Sequence, residues 1–422
     1  MKTRIIHTSV VFVVTIIAAA LFSSDPSSLS NQCFADDSAS EQAEALFQQA
    51  QKLCESKDEP EDVDKVVSLY RQAAELGHSE AQRILGFCYS HGKGVPEDKA
   101  AGFELYRKSA DQGNIKAFVN LGDCYYYGTG IAVDKTEAAK LYLKAAEKDE
   151  PMGQNMLGLC YMTGQGVPQN AKEAVKWWKK AAEQNLPSAQ FSLGSAYMMG
   201  AGVKMNKKEG IKLFQKAAKQ GERDALAALG ICYYLGDGVA QNGEKAIKFL
   251  RKAAQKEQPE AQHYLAVCHY DGVGVPVNKE EAIKWWKKAA ENGFPPAQEM
   301  LAVFYSSGEY VPKDEAKAAE LWQKAAEQGF PRAQFNLGCC YMMGVGVKMD
   351  KAEGVKWLRK AADQGDVNAT AVLGMCYYRG EGVPVDKAKG IELFRKAADN
   401  GHERAKEILE DIENDVLDNE DK

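Results

Sequence analysis

Apolar and small residues recur along this chain with a fixed period of 36 residues. Nine blocks begin at Ala81 and run without insertion or deletion through residue 404, and a partial block begins at Ala405. Ala, Leu and Tyr dominate positions 1, 5 and 9 of the blocks, while Ala, a large apolar residue and Ala dominate positions 22, 26 and 29. Residues three or four apart lie on the same face of a helix. Each block therefore predicts two helices with one apolar face each.

A glycine-rich turn separates the two predicted helices of a block. In the first block it reads Gly92-Lys93-Gly94-Val95, and glycine permits the left-handed backbone that ends a helix. Small residues at positions 6 and 22 let the two helices approach, and the large side chain at position 26 fills the space between them. A single hairpin cannot bury its apolar face alone. We therefore predict an all-α fold of tandem 36-residue antiparallel helix hairpins stacked around a continuous core.

The two ends of the chain differ from the repeats. Residues 1–35 are predicted to be a signal peptide, because Lys2 and Arg4 precede an apolar run over residues 10–22 and a cleavage pattern ends at Ala35. An uncleaved signal anchor is the alternative. We assign residues 36–80 to an N-terminal segment with an eroded capping repeat, residues 81–404 to nine repeats, and residues 405–422 to a C-terminal capping helix with an acidic tail.

The repeated pattern resembles that of a known family. Over about residues 45–404, the motif A-x3-L-G-x2-Y-x2-G-x-G-V followed by A-x3-W-x2-A-A resembles the Sel-one-like repeat family, which is related to tetratricopeptide repeats. The resemblance implies a right-handed α-solenoid superhelix with a concave inner surface. Members of the family generally hold protein partners in assemblies. We therefore expect an exported protein, located in the periplasm, secreted, or in the endoplasmic reticulum lumen.

Most cysteines occupy one position of the repeat. Two cysteines at equivalent positions of neighbouring hairpins should lie about 10 Å apart, whereas a disulfide needs Cα atoms within about 7 Å. We therefore predict small buried core side chains rather than disulfides. Cys54 and Cys339 lie outside this pattern and are candidate free thiols. The position-8 cysteines are Cys88, Cys124, Cys160, Cys232, Cys268, Cys340 and Cys376.

Charge and motif content favour a non-catalytic protein. The net charge is −6, from 53 basic and 59 acidic residues, which gives no basic stripe for nucleic acid. The chain has no Cys-x2-Cys pair and its six histidines are scattered, so we predict no metal and no cofactor. Ser90 and Lys93 match a Ser-x-x-Lys motif, but its partner motifs are missing. Because cysteine-rich members of the resembled family are linked to β-lactams, a β-lactam or cell-wall-fragment binding or hydrolysing protein is the alternative.

Candidate binding residues come from an analogy with tetratricopeptide hairpins. There, positions 3, 7 and 10 of the first helix face the concave groove. Aromatic residues and methionine are common at protein interfaces, although packing between hairpins is the alternative explanation here. We predict a monomeric scaffold that binds a protein or peptide partner, with no membrane span after signal removal. The candidates are Tyr126, Met162, Phe191, Met198, Tyr234, Tyr270, Phe335, Met342 and Tyr378.

Overall fold

The described part of the chain consists of helices joined by short turns. The computed structural model describes residues 26–55 and 63–420, and within them 21 helices and no strand occur. Residues 1–25 of the predicted signal lie outside the described residues. The helices are α1 Pro26–Glu55, α2 Val63–Glu75, α3 Ser79–His91, α4 Lys99–Asp111, α5 Ile115–Tyr127, α6 Lys135–Glu147, α7 Pro151–Thr163, α8 Ala171–Glu183, α9 Pro187–Met199, α10 Lys207–Lys219, α11 Arg223–Leu235, α12 Gly243–Ala254, α13 Pro259–Asp271, α14 Lys279–Glu291, α15 Pro295–Ser307, α16 Glu315–Glu327, α17 Pro331–Met343, α18 Lys351–Asp363, α19 Val367–Arg379, α20 Lys387–Asp399 and α21 Glu403–Glu420.

Successive helices form the predicted hairpins. We number them so that hairpin 1 is α3 with α4 and hairpin 9 is α19 with α20; α1 and α2 precede them, and α21 follows. The described residues up to 196, with 200–204, form one unit, and residues 197–199 and 205–420 form another. Within each unit, neighbouring helices along the chain pack on one another. The predicted all-α solenoid of helix hairpins is therefore confirmed.

The two helices of a hairpin meet at positions 6 and 26, as the sequence predicts. A Cβ atom on Gly158 would lie 2.5 Å from Nε1 of Trp178, and one on Gly122 would lie 2.6 Å from the ring of Tyr142. Such distances are far below van der Waals contact, so only glycine fits at these two places. The position-26 side chain in turn fills the hairpin core, and Tyr142 and Trp286 are among the largest fully buried side chains.

Backbone hydrogen bonds close the turn of each hairpin in the same way. In hairpin 3, Gly164 is left-handed and donates its N–H to the carbonyl of Cys160 at 2.9 Å, which ends the first helix. Asn170 donates its N–H to the carbonyl of Tyr161 at 2.8 Å. The side chain of Asn170 then accepts from the N–H of Glu173 and caps the second helix. The turn is thus fixed by its own sequence.

The second glycine of the turn has another role, which is contact with the preceding hairpin. Gly166 has φ +78°, and a Cβ atom there would lie 1.9 Å from the carbonyl oxygen of Lys135 in hairpin 2. The same near-contact recurs at Gly130, where the atom approached is the carbonyl oxygen of Lys99 at 2.1 Å. Position 14 therefore brings the turn of one hairpin directly onto the backbone of the previous one.

Hairpin 7 breaks this rule, because its position 14 is Tyr310. Tyr310 has φ +61°, a region in which an L-residue other than glycine costs about 1–2 kcal/mol. We expect the substitution Tyr310→Gly to raise the free energy of unfolding by about 1 kcal/mol over Tyr310→Ala, because alanine keeps the strained backbone without the ring. Urea-unfolding midpoints of the two variants measure the difference. Equal midpoints would show that this turn carries no backbone strain.

A buried glutamine network, which the sequence reading missed, links neighbouring hairpins. Gln262 is buried and donates to the backbone carbonyl of Ala254 in the preceding hairpin at 3.3 Å. Its oxygen accepts from the amide of Asn292, in the turn after its own hairpin, at 3.0 Å. Both polar ends are thus satisfied inside the protein. The carbonyl contact recurs at position 2 in Gln82, Gln154, Gln190, Gln298 and Gln334.

The cysteines take the predicted place in the core. All seven position-8 cysteines are buried, and none of the nine cysteines whose side chains are described is in a disulfide. Burial raises the pKa of the Cys124 and Cys268 thiols to about 12, so these thiols stay protonated and unreactive near neutral pH. Cys339 is half-buried and Cys54 is exposed. The side chain of Cys33 lies outside the described residues.

Candidate functional site

In the described part of the chain, clefts open along the first helices of the hairpins at three places that the same repeat positions line. One of about 610 Å³ lies at hairpins 1 and 2, one of about 580 Å³ at hairpins 7 and 8, and one of about 470 Å³ between hairpin 9 and α21. We call them the hairpin 1–2, hairpin 7–8 and C-terminal clefts. Positions 4, 7 and 11 recur in their walls: Phe87, His91, Asn120, Asp123 and Tyr127 in the first, Val303, Ser307 and Asn336 in the second, and Val372, Met375 and Arg379 in the third.

Position 11 carries the most exposed apolar side chains of the first helices. Tyr127 is 63% exposed, Met199 68%, Leu235 57% and Met343 65%. The analogy behind the candidate residues did not include this position. The sequence does contain a signal for this position. Position 11 directly precedes the glycine that ends the first helix, so a large apolar side chain there has no following helix turn to pack against. Positions 4, 7 and 11 follow the three- and four-residue spacing of one helix face.

Tyr126, the first candidate of the sequence analysis, is buried. The Nζ atom of Lys135 lies 3.3 Å from its ring centroid and also donates to the Tyr126 backbone carbonyl. The Tyr126 ring also packs near Tyr142, with 6.3 Å between centroids. One face of the ring is thus covered by a lysine of the same hairpin, and the neighbouring Tyr127 reaches solvent instead.

The other eight candidates are half-buried, and their contacts explain why. Tyr270 packs against Trp286 of its own hairpin and Phe304 of the next, with centroid distances of 5.4 and 5.9 Å. Tyr234 meets Tyr264 of the next hairpin at 5.6 Å. Phe335 and Tyr378 line the hairpin 7–8 and C-terminal clefts respectively. The half-buried candidates are Met162, Phe191, Met198, Tyr234, Tyr270, Phe335, Met342 and Tyr378.

A charged pair and an indole distinguish the hairpin 7–8 cleft. Arg332 lines the cleft with a side chain that is 68% exposed, and its Nε lies 3.0 Å from Oε1 of the buried Glu299. Burial raises the pKa of Glu299, and the Arg332 charge opposes that rise. Trp322 also lines the cleft. Its Nε1 is buried without a hydrogen-bond partner among the described residues.

His263 is a buried neutral histidine in hairpin 6. Its Nδ1 accepts the indole N–H of Trp286 at 3.2 Å, and burial lowers its pKa to about 4. Because the folded pKa lies below the usual value of about 6.5, this group favours the folded state above pH 6.5. That stability is lost as the pH falls from 6.5 toward 4, where the unfolded chain binds the extra proton.

We expect the His263 side chain to make the protein more sensitive to acid. Between pH 7 and 4.5, the His263→Gln variant should lose about 2–3 kcal/mol less unfolding free energy than the wild-type protein, because glutamine can accept the indole N–H but does not titrate. Urea unfolding at both pH values measures this. The exposed His91 provides the matched control, and His91→Gln should behave as wild type. An acid response of His263→Gln equal to that of the wild type would contradict the assignment.

Comparisons with known proteins decide the family. The family model described as Sel1 repeat matches the chain ten times, at residues 55–78, 79–114, 117–150, 151–186, 187–222, 223–257, 259–294, 295–330, 331–366 and 367–402. The chain belongs to the Sel1 repeat family. The resemblance inferred from the sequence motif is thus confirmed. Sel1 repeat proteins are helical-repeat scaffolds for protein interaction.

Solved Sel1 repeat structures are similar to this chain over most of its length. A protective antigen of uropathogenic Escherichia coli, c5321, with an SLR fold, is 30% identical with a TM-score of 0.50, and the match covers 92% of this chain and 90% of that one. A Sel1 repeat protein from Oxalobacter formigenes is 32% identical with a TM-score of 0.51, covering 75% and 94%. A comparison with curated proteins finds no match.

The described residues of this Sel1 repeat protein contain neither a cluster of metal ligands nor a membrane-spanning helix. Among the described residues, no group of three or more His, Cys, Asp or Glu side chains is close enough to hold a metal ion. None of the described helices has the length and apolar character of a membrane span.

Proposed function

We propose that this protein is an exported, non-catalytic scaffold whose first helices bind a protein or peptide partner on the concave face of the solenoid. The observation that carries the proposal is the exposed apolar side chain at position 11, which recurs in several hairpins beside positions that line the clefts. Exposed aromatic and methionine side chains favour binding, because aromatic rings bury large apolar areas and the flexible methionine side chain adapts to the shape of a partner.

The half-buried candidates have a supporting role in this proposal. Tyr234, Tyr270 and Met342 are held by contacts with their own or neighbouring hairpins. Their positions are therefore fixed before a partner arrives, and each can add an edge of its side chain to the bound surface. A surface ordered in advance loses little conformational entropy on binding. We accordingly expect limited conformational change in the scaffold.

Two matched quadruple variants test the proposal. The groove variant carries Tyr127→Ser, Met199→Ser, Leu235→Ser and Met343→Ser. The turn variant carries Val133→Ser, Met205→Ser, Val277→Ser and Met349→Ser, at position 17, where the side chains are 55–58% exposed. Each protein is used to capture partners from an extract of its native source. We expect the wild type and the turn variant to recover the same partner and the groove variant to lose it. Undiminished recovery by the groove variant would refute binding at this face.

A further inference from the structure

The second helices of hairpins 4 and 5 carry an excess of positive charge in a chain whose net charge is −6. Together, α10 and α12 contain nine cationic and two acidic residues, whereas α16 of hairpin 7 contains two cationic and three acidic residues. Both helices belong to the same unit. Lys207 pairs with Asp237 at 2.6 Å. We call the other exposed cations the basic surface, which consists of Lys208, Lys212, Lys216, Lys219, Lys245, Lys248, Arg251, Lys252 and Lys256.

Position 31 of the repeat distinguishes these two hairpins. Lysine occupies position 28 in all nine hairpins, and position 31 is Asp or Glu in seven of them. Residues three apart are neighbours on a helix surface, so most second helices end with one charge of each sign. In hairpins 4 and 5, position 31 is Lys219 and Gln255 instead. These two hairpins therefore lack the acid that offsets the position-28 lysine elsewhere.

The cations of the two hairpins form one continuous surface. Lys212 and Lys216 lie four residues apart on one face of α10, and the same two repeat positions are lysine on α12. The Nζ atom of Lys256, which follows α12, lies 3.5 Å from the place that a Cβ atom on Gly221 would occupy, in the turn after α10. The basic surface thus extends about 20 Å along the helices and about 10 Å between them.

Most of these charges have no acidic partner within the protein. Lys212 pairs with Glu209 at 3.0 Å, and no other member of the basic surface forms an ion pair with a described residue. Like charges that lie close together repel one another and oppose the compact state. An anionic ligand would offset this repulsion without breaking an internal contact.

The basic surface offers charge but no apolar contact. Leu213 is buried, Phe249 is half-buried with its ring centroid 5.8 Å from that of Tyr233, and neither α10 nor α12 has an exposed large apolar side chain. Protein partners need apolar or aromatic hot spots, and single-stranded nucleic acids need exposed rings for stacking. Anionic lipids need neither, because they attract basic residues through charge alone. A surface two helices wide also matches a bilayer better than a linear polyanion, which presents a single row of charges.

We propose that the basic surface binds the anionic head groups of a lipid bilayer. The contact is electrostatic, because no apolar side chain of these helices is available to enter the bilayer. It uses second helices, whereas the protein partner of the proposed function binds along first helices. The inference therefore goes beyond the proposed function and does not depend on it.

Co-sedimentation with lipid vesicles tests this proposal. The vesicles consist of phosphatidylcholine alone or of equal parts of phosphatidylcholine and phosphatidylglycerol. We expect the purified protein to bind the anionic vesicles only. Because the Debye length falls from about 10 Å at about 0.1 M salt to about 3 Å at about 1 M, we expect this binding to be lost at the higher salt concentration.

A variant that restores the usual residue at position 31 tests whether the basic surface is responsible. Lys219→Glu with Gln255→Glu introduces the acid that seven hairpins already carry. The first substitution changes the charge by two units and the second by one. Each basic residue near an anionic bilayer contributes about fivefold in affinity, so we expect binding to weaken at least tenfold. The control, Arg395→Glu with Gln323→Glu, makes the same change of charge at exposed positions of hairpins 9 and 7 and should bind as the wild type does.

The possible results are distinct. Equal urea-unfolding midpoints of the three proteins would show that weaker binding does not come from unfolding. The proposal would be overturned by absence of binding to anionic vesicles, by binding that persists at the higher salt concentration, or by equal weakening in both variants. Retention on immobilised heparin without vesicle binding would identify a linear polyanion as the ligand and would also overturn it. None of these results bears on partner capture, because the first helices are the same in all three proteins.

Discussion

The substitution Gly166→Ala is expected to destabilise the protein by about 3–5 kcal/mol. The added Cβ atom would lie 1.9 Å from the carbonyl oxygen of Lys135 and 2.5 Å from its carbonyl carbon. Because the obstacle is backbone, no side-chain rotation can relieve the overlap, and hairpins 2 and 3 must move apart. Overpacking of this kind, together with the positive φ of 78°, belongs to the most damaging class of point mutations.

Gly113→Ala provides the matched control for this prediction. Gly113 also has a positive φ, of +83°, but a Cβ atom there would meet nothing within 4 Å. We expect this variant to lose only about 1 kcal/mol, which is the backbone cost alone. Urea unfolding and amide hydrogen exchange across hairpins 2 and 3 compare the two variants. If the two variants lose the same unfolding free energy, glycine is needed at position 14 for its positive φ and not for the contact between hairpins.

The substitution Trp286→Ala is expected to cost a similar amount, for a different reason. Trp286 is fully buried, and its ring lies 5.4 Å from those of Tyr270 and Phe304. Removing it leaves a large cavity between hairpins 6 and 7, which typically costs about 3–5 kcal/mol. It also leaves Nδ1 of His263 without its donor. Urea unfolding of the purified protein measures the loss.

The adjacent Trp285 is the natural control for Trp286. It is only half-buried, and the Nζ atom of Lys288 lies 4.7 Å from its ring centroid. We expect Trp285→Ala to cost about 1–2 kcal/mol, because solvent or neighbouring side chains can occupy part of the space that it leaves. If the two variants lose the same stability, position 26 is not the core position that we assign.

The fold was predictable because every hairpin repeats the same local chemistry. Gly158 and Trp178 illustrate this: one small and one large residue at positions 6 and 26 indicate close helix contact, and the structure places them together. The position-8 cysteines were predictable in the same way, since a residue that recurs on an apolar helix face belongs to the core.

The binding face was less predictable, because its limits depend on how hairpins pack on one another. Adjacent residues of a helix point about 100° apart, so Tyr126 and Tyr127 could exchange roles with a small change in packing. Lys135 covers Tyr126 and leaves Tyr127 exposed. The same position-19 lysine lies over the position-10 ring in hairpin 6, where Lys279 covers Tyr270, but this contact follows from how the second helix packs on the first and not from the apolar pattern of either helix. Likewise, Glu299 and Arg332 pair across two hairpins, a contact that is specific to this place in the chain.

Site-specific photocrosslinking in the native cell tests the central claim most directly. A photoreactive phenylalanine analogue replaces Leu235 or Met343 at position 11 of first helices, or Lys248 or Lys356 on the exposed face of second helices. Our account predicts crosslinks to a partner protein from the two first-helix positions and none from the two second-helix positions. Crosslinks that arise only from the second helices, or equally from both sets, would contradict binding along the first helices.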